Sequence, residues 1–248
     1  MRALALVAVL LGAWECYTDL GGIDPFLLPA PSDIAQSLWV DRGLLWDNLT
    51  VTGGEVLLGI ALALAVGTAV AVAIHSSRTL RRAVYPLVVA SQTIPIPILA
   101  PVLVVWWGYD VRPKVAIVGL ICFFPIVVNA LDGLAGVDPE LRKLMRTFDA
   151  SRRQVFRWVE APAALPQLFS GAKIAVAVAV IGAVLAEQAG SSDGLGHLIL
   201  QAIPQFDTAR AWAAVVVLSA FAIALFGALA LMERRFVPWA PRSQGDVT

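Results

Sequence analysis

The chain has 248 residues, of which 59% are hydrophobic and only 15% are charged, and its mean hydropathy is +0.79. Soluble domains carry about a quarter charged residues, so this balance argues against an ordinary soluble enzyme and indicates a polytopic membrane protein. The formal net charge is zero, so no overall field recruits nucleic acid and we expect no nucleic-acid partner.

The first apolar run covers residues 3–14 and is shorter than the roughly 20 residues that a spanning helix needs. A signal sequence is the alternative, but only Arg2 precedes the run and no small-x-small cleavage site follows it. We therefore predict a first transmembrane helix that extends past Glu15 toward Leu20. The acidic segment 21–50 is predicted to lie outside, with a short helix at 33–40 capped by Ser32.

The second and third spans differ in regularity. Residues 56–74 are uncharged and predict a regular span, whereas residues 83–109 are uncharged but contain four prolines. Each proline removes a backbone donor, so one regular helix is excluded there. Broken backbone at membrane depth is tolerated inside protein or beside a water-filled cavity. The candidates for lining a substrate pathway are Ser91, Gln92, Thr93, Pro95 and Pro97; the alternative is a kinked packing helix.

The remaining apolar runs predict three more spans, at 115–131, 171–189 and 211–232, with a short outer helix at 195–203. Lys114 is assigned to a short outer turn before the fourth span. Glu187 lies near the outer end of the fifth span, where a lone acid is more often an interface residue than an ion ligand. With six spans and both termini inside, fourteen cations face the cytoplasm and four face outward. This bias predicts a multi-pass plasma-membrane protein, in bacteria the inner membrane, in that orientation.

A basic loop at 138–171 separates the fourth and fifth spans, and it carries six arginines and lysines: Arg142, Lys143, Arg146, Arg152, Arg153 and Arg157. Its middle, about 150–159, is predicted to form a short helix with Asp149 as the N-cap, which Pro162 and Pro166 stop. Such a partly apolar helix can dock into a groove of another protein. The alternative is a basic loop that rests on anionic headgroups.

This loop resembles the cytoplasmic loop of permeases from binding-protein-dependent ABC importers. That loop reads Glu-Ala-Ala, three residues, Gly, nine residues, Ile, any residue, Leu, Pro. Here Lys143-Leu144-Met145 stands at Glu-Ala-Ala and Asp149 at the Gly, while the spacing and Pro162 are retained. The segments LLPAPSDIAQSL, SQTIPIPILAPVLVVWWGYDVRPKV and FFPIVVNALDGLAGVDPEL also resemble the nitrate, sulfonate and taurine branch of that family, in its order.

The resemblance implies an all-α fold of the MetI-like permease type with about six spans, in a single transmembrane domain, 1–248, that contains a coupling loop at 138–171. It also implies a second permease copy, a cytoplasmic ABC ATPase and an external solute-binding protein as partners, beside the lipid bilayer. The residues expected to couple to the ATPase are Asp149, Ala150, Ser151, Val155, Phe156, Trp158 and Pro162. Branch members carry nitrate, taurine, sulfonates, or precursors of thiamine and riboflavin. The segments QTIPIPILAP and LMERRFVPW look more like those of the vitamin-precursor permeases than like those of the sulfonate permeases.

The chain lacks the motifs of a catalyst. No lysine follows a glycine, so there is no phosphate-binding loop. We therefore expect no cofactor and no metal in this chain, with ATP bound by the partner subunit. A stand-alone secondary transporter is the rival, but such carriers usually hold ionisable residues inside their spans. Only Glu55 and Glu187 come close, and both are predicted near span ends.

Overall fold

The computed structural model describes residues 2–239 of the chain, with side chains from residue 5 onward. Arg242, one of the predicted inner cations, lies outside the described residues. The described part contains helices and turns and no strand, so the predicted all-α fold is confirmed. The helices are α1 Arg2–Gly21, α2 Pro31–Val40, α3 Arg42–Ser76, α4 Arg78–Ala90, α5 Ile96–Trp107, α6 Val111–Ala135, α7 Pro139–Thr147, α8 Arg152–Val155, α9 Ala161–Gly190, α10 Leu195–Ala202 and α11 Thr208–Phe236.

Four helical runs are long and apolar enough to cross a membrane: α3, α6, the run from α8 through α9, and α11. The pair α4 and α5 is bent by 98° at the predicted break and makes a fifth span if the two halves are counted together. α1 is a single helix of 20 residues, about 30 Å long. It corresponds to the predicted first span but is not among these five.

The core lies where α3, α6 and α9 pack together. Its buried side chains include Val56, Val118, Ile126 and Val176. Small residues that recur every four positions on α3 allow the close approach, since a Cβ added at Gly59 would overlap Val118. Small residues at such contacts are the usual means of bringing helices together where lipid surrounds them. The α6–α9 contact fixes the coupling loop, because that loop joins these two helices.

The predicted stop at Pro162 and Pro166 is wrong. A continuous helical run extends from Arg152 to Gly190, with Pro162 in the first turn of α9 and Pro166 inside it. The backbone widens ahead of Pro162 into a π-helical turn over Phe156–Glu160, where the Ala161 N–H reaches the Phe156 carbonyl. One extra residue in a turn lets a helix pass a proline without ending.

Three assignments near the predicted outer face also need correction. Lys114 is not in an exposed turn but is buried in α6, and Glu187 is fully buried rather than at the interface. Ser32 does not cap α2, which begins at Pro31 after Ala30. Its hydroxyl instead donates to Glu15 of α1, 2.5 Å away. Charge order along the chain placed Lys114 and Glu187 near water, but tertiary packing buries both of them.

Candidate functional site: the coupling loop and the broken span

The coupling loop begins with α7, which ends in a left-handed turn at Asp149. Asp149 has φ +51°. Its N–H donates to the Arg146 carbonyl at 3.0 Å, and the Ala150 N–H donates to the Met145 carbonyl at 3.1 Å. These two bonds form a Schellman motif, in which the left-handed residue after the helix is usually glycine. Asp149 is therefore the terminator of α7, not the predicted N-cap of the next helix.

The N-cap of the next helix is Ser151. Its hydroxyl accepts from the Gln154 N–H, while the Gln154 side chain accepts from the Ser151 N–H at 2.7 Å. This reciprocal pair is a capping box and satisfies two backbone donors that the start of a helix leaves free. The predicted helix at 150–159 therefore begins at Arg152, two residues later than expected. Asp149, Ala150 and Ser151 together form the corner between α7 and α8.

The large apolar side chains of the loop divide into two groups. Val155 and Phe156 are half-buried against the rest of the chain. Trp158 is 68% exposed, and Phe148, beside the corner, is 73% exposed. Large exposed apolar patches mark interaction sites, and these two exposed aromatic side chains lie on one short loop. The sequence reasoning missed Phe148, although its place next to the aligned family glycine is a usable signal.

Glu160 ties this loop to the spans. Its carboxylate contacts the His75 Nε2 atom at 3.1 Å and accepts from the Arg142 Nε–H at 2.8 Å. Arg142 also donates to the carbonyl of Leu134 at 2.7 Å. His75 belongs to the last turn of α3 and Leu134 to the last turn of α6. One carboxylate therefore links both arms of the loop to the loop-side ends of two core helices.

The sequence reasoning did not single out Glu160, His75 or Arg142 as a group. Glu160 occupies the unconstrained position of the family pattern, and His75 is 85 residues away in sequence. Only the fold brings them together.

The broken span places its polar residues at a sharp corner. Ser91, Gln92 and Thr93 form a single tight turn between α4 and α5, and Pro95 and Pro97 open α5. The Ser91 and Thr93 hydroxyls donate to the carbonyls of Val88 and Ala90, at 2.7 and 2.8 Å. Gln92 is exposed. Intra-turn bonds therefore satisfy the two hydroxyls, and the Gln92 amide is the free polar group of the corner.

The two predicted sets of residues lie in separate segments. Residues 149–162 form one continuous corner and helix between α7 and α9, whereas 91–97 form the bend of the broken span. A path between them exists through α3, because α3 contacts both α4 and α6.

The chain was compared with known proteins. Residues 58–238 match the family "Binding-protein-dependent transport system inner membrane component". The formylaminopyrimidine transport permease protein ThiX of Halalkalibacterium halodurans is 37% identical over 232 residues, which cover 93% of this chain and 92% of that protein. The riboflavin transport system permease protein RibX of Chloroflexus aurantiacus is 35% identical and covers 93% and 87%. The taurine transport system permease protein TauC of Escherichia coli is 28% identical and covers 96% and 89%.

Solved structures share the fold. An amino acid ABC transporter chain has a TM-score of 0.63 at 13% identity, covering 83% of this chain and 98% of that one. A chain of an inward-facing MetNI methionine ABC transporter has a TM-score of 0.59 at 24% identity, with the same two coverages. The family match, the relatives covered over most of their length and the shared fold agree with the helical architecture. The chain therefore belongs to the family of inner-membrane permease components of binding-protein-dependent transport systems.

Proposed function

We propose that this permease works in an ATP-driven importer, in which a cytoplasmic ABC ATPase binds and hydrolyses ATP and docks on the coupling loop. The observation that carries the proposal is the loop itself: a helix corner with two exposed aromatic side chains, Phe148 and Trp158, on the predicted cytoplasmic side. A buried large side chain contributes roughly 1.5–3 kcal/mol to an association. Burial of both aromatic side chains in a groove of the ATPase therefore favours docking.

Closure of the ATPase reaches the spans through Glu160. A displacement of the corner moves Glu160, and its contacts with His75 and Arg142 pass that displacement to the inner ends of α3 and α6. α9 itself continues the loop helix into the membrane, so the core helices move together. This chain contributes the mechanical linkage and no catalytic group.

The substrate path in this proposal runs past the bend of the broken span, at the contact between two permease copies. Gln92 supports this placement because an amide without a partner in hydrocarbon is costly. Gln92→Leu is expected to reduce uptake while ATPase binding and assembly stay intact, since the bend is held by backbone bonds. Ser219→Ala on α11 is the control, because Ser219 lies outside the bend and its hydroxyl is satisfied by the Val215 carbonyl of its own helix. Unchanged uptake in Gln92→Leu would make the bend a packing feature only.

For the substrate we propose a heteroaromatic vitamin precursor class. The relatives named for formylaminopyrimidine and riboflavin are 37% and 35% identical to this chain, whereas the taurine relative is 28% identical. Uptake of a labelled pyrimidine precursor that unlabelled taurine does not compete is the expected result. Equal competition by taurine would instead indicate a substrate of the sulfonate class.

The orientation is proposed from the charge bias, with both termini in the cytoplasm. Cysteine variants at Ser76 and Asp207 test it in a chain with Cys16→Ser, because Cys16 is exposed whereas Cys122 is buried. We expect Ser76→Cys to react only after permeabilisation and Asp207→Cys to react from outside. The reverse pattern would invert the topology.

The rival, a secondary transporter without an ATPase, makes a different prediction for reconstituted protein. Proteoliposomes that hold the permease, the ATPase and the binding protein are expected to take up substrate only when ATP is present on the side of the membrane where the ATPase is bound. Omission of the ATPase should abolish uptake, and uptake driven by an ion gradient alone would favour the rival.

A further inference from the structure

The part of the core farthest from the coupling loop holds a cluster of charged residues that coupling does not use. Glu55 of α3, Lys114 of α6 and Glu187 of α9 have relative exposures of 2%, 6% and 0%. The Lys114 ammonium pairs with Glu55 Oε1 at 2.9 Å and donates to the Ser191 hydroxyl at 2.6 Å. Residues 55, 114 and 187 are widely separated in sequence, so the cluster exists only in the folded chain.

The turn from Ser191 to Gly196, here called the outer turn, is bound through consecutive backbone donors. The N–H groups of Gly194, Leu195 and Gly196 donate to Asn48 Oδ1, Thr52 Oγ1 and Glu187 Oε2, at 2.7, 2.9 and 2.6 Å. Thr52 in turn donates to Glu187 Oε1 at 2.6 Å. Gly194 has φ +110°, and a Cβ there would overlap the Glu187 carboxylate. The outer turn is therefore shaped around that carboxylate.

The two carboxyl groups differ in their partners. Both oxygens of Glu187 accept bonds, from Thr52 and from Gly196. Glu55 accepts from Lys114 through Oε1, but its Oε2 atom is buried and has no donor. Glu55 follows Thr52 by one turn of α3, so the unpartnered Oε2 atom lies on the helix face whose Thr52 hydroxyl bonds the Glu187 carboxylate. Two acceptors facing each other need a hydrogen between them.

Charge balance leads to the same requirement. With all three groups ionised, the cluster carries two negative charges and one positive charge in a site closed to water. An uncompensated buried charge is expensive, and the site avoids it by taking up a proton. The charged groups that meet here come from α3, α6 and α9. The outer turn adds the Ser191 hydroxyl, while the exposed Asp193 carboxylate accepts from Ser192.

We propose that Glu55 and Glu187 form a buried proton-binding site, in which one shared proton latches the outer turn onto the ends of α3, α6 and α9. When the proton leaves at high pH, two carboxylates face each other and the turn loosens. The proton belongs to the pair, so neither residue alone defines its titration. This inference does not depend on the ATPase or on the substrate.

Replacement of Glu55 by glutamine is expected to have a different effect from replacement of Glu187 by glutamine. Glu55→Gln keeps an oxygen for Lys114 and supplies an N–H toward Glu187, so it imitates the protonated pair. Glu187→Gln offers one oxygen to two donors and must lose one bond. We therefore expect Glu55→Gln to keep the outer turn closed at every pH, and Glu187→Gln to open it already at neutral pH.

Infrared spectroscopy of the full chain in lipid nanodiscs tests the shared proton directly. At neutral pH the wild type is expected to show one carboxylic acid C=O band per chain that Glu55→Gln lacks. Asp47→Asn, an exposed acid on the same helix, is the matched control and should leave the band unchanged. A wild-type spectrum without this band, or a band that persists in Glu55→Gln, overturns the proposal.

The rate at which a cysteine in the outer turn reacts with a thiol reagent reports whether that turn opens. In a Cys16→Ser background, labelling of Leu195→Cys, at a fully buried position of the outer turn, should rise about tenfold or more between neutral and alkaline pH, after correction for thiol ionisation on a short peptide. Adding Glu55→Gln should remove that rise. A rate that depends on pH equally with and without Glu55→Gln would show that the pair does not hold the turn. If Glu187→Gln does not accumulate, the Glu55→Gln comparison still decides the question.

Discussion

The two ends of the helical core differ in how far their charged side chains are exposed to water. At the outer end, Glu55 and Lys114 pair with side chains that are 2% and 7% exposed. At the inner end, Glu160 meets His75 and Arg142 with side chains that are 13%, 21% and 27% exposed. The outer group is closed to water, whereas the inner group keeps contact with it.

This difference indicates which end is fixed and which can be adjusted. Removing one partner of a buried pair leaves an unpaired charge in a dry site and costs about 3–5 kcal/mol. A partly exposed pair is worth about 0–1 kcal/mol, because water replaces a lost partner. The inner network can therefore rearrange at little cost when an ATPase moves the loop, while the outer cluster holds the helix ends in register.

Lys114→Met tests the fixed end with the largest expected effect. It strands Glu55 without its cation, and we expect a loss of about 3–5 kcal/mol in unfolding free energy. Arg142→Met, which removes a cation of the inner network, should lose about 1 kcal/mol or less. Denaturant unfolding of both variants in the same detergent measures the difference. Equal losses would mean that burial does not distinguish the two ends.

Gly194→Ala sharpens the account of the outer turn. The methyl group would meet the Glu187 carboxylate, and the backbone there has φ +110°, so we expect a loss of about 2–4 kcal/mol. Gly54→Ala on α3 is the control, since a Cβ there meets nothing within 4 Å. The yield of monodisperse protein on gel filtration reports both. A normal yield for Gly194→Ala would show that the turn is not built around Glu187.

Glu160→Gln tests the adjustable end. We expect a small stability loss, about 1 kcal/mol or less, because the network is partly exposed. The larger effect should be on coupling: the ATPase still binds, but substrate uptake per ATP hydrolysed falls. Glu140→Gln in the same loop is the control, since Glu140 is exposed. Uptake per ATP that matches the wild type would remove Glu160 from the linkage.

Asp149→Gly has the smallest expected effect and the opposite sign. Glycine occupies the left-handed conformation without the strain of a side chain, so the turn after α7 should gain about 0.5–1 kcal/mol. ATPase binding should stay the same or tighten. Asp149→Val, whose branched side chain is unsuited to φ +51°, should weaken binding. A thermal melt with a binding assay separates the two variants, and a destabilised Asp149→Gly would contradict the helix-termination role.

The sequence was sufficient for features that depend on local composition. Apolar runs predicted the candidate spans other than α1, which is not among those found; the prolines near Pro95 predicted the bend, and the spacing from Asp149 to Pro162 indicated the family. All three depend on residues close together in the chain. The left-handed turn at Asp149 was also accessible in principle, because the aligned family residue is glycine.

Features that depend on packing were not predictable in this way. Glu187 was assigned to the interface because a one-dimensional pattern cannot show that Thr52, 135 residues earlier, bonds to it. Pro162 was expected to end a helix because the π-helical turn that accommodates it depends on several backbone conformations at once. His75 and Glu160 are paired only after α3 and α9 have packed.

The central proposal is that the ATPase docks on the coupling loop through the exposed side chains of Phe148 and Trp158. One pull-down tests it most directly. The double variant Phe148→Ala with Trp158→Ala is compared with Trp39→Ala and Trp46→Ala, whose side chains are similarly exposed, at 72% and 64%, on the predicted outer face. We expect the variant without Phe148 and Trp158 to lose most of the co-purifying ATPase while inserting normally, and the variant without Trp39 and Trp46 to retain it. Full recovery of the ATPase with the variant without Phe148 and Trp158 would contradict the account.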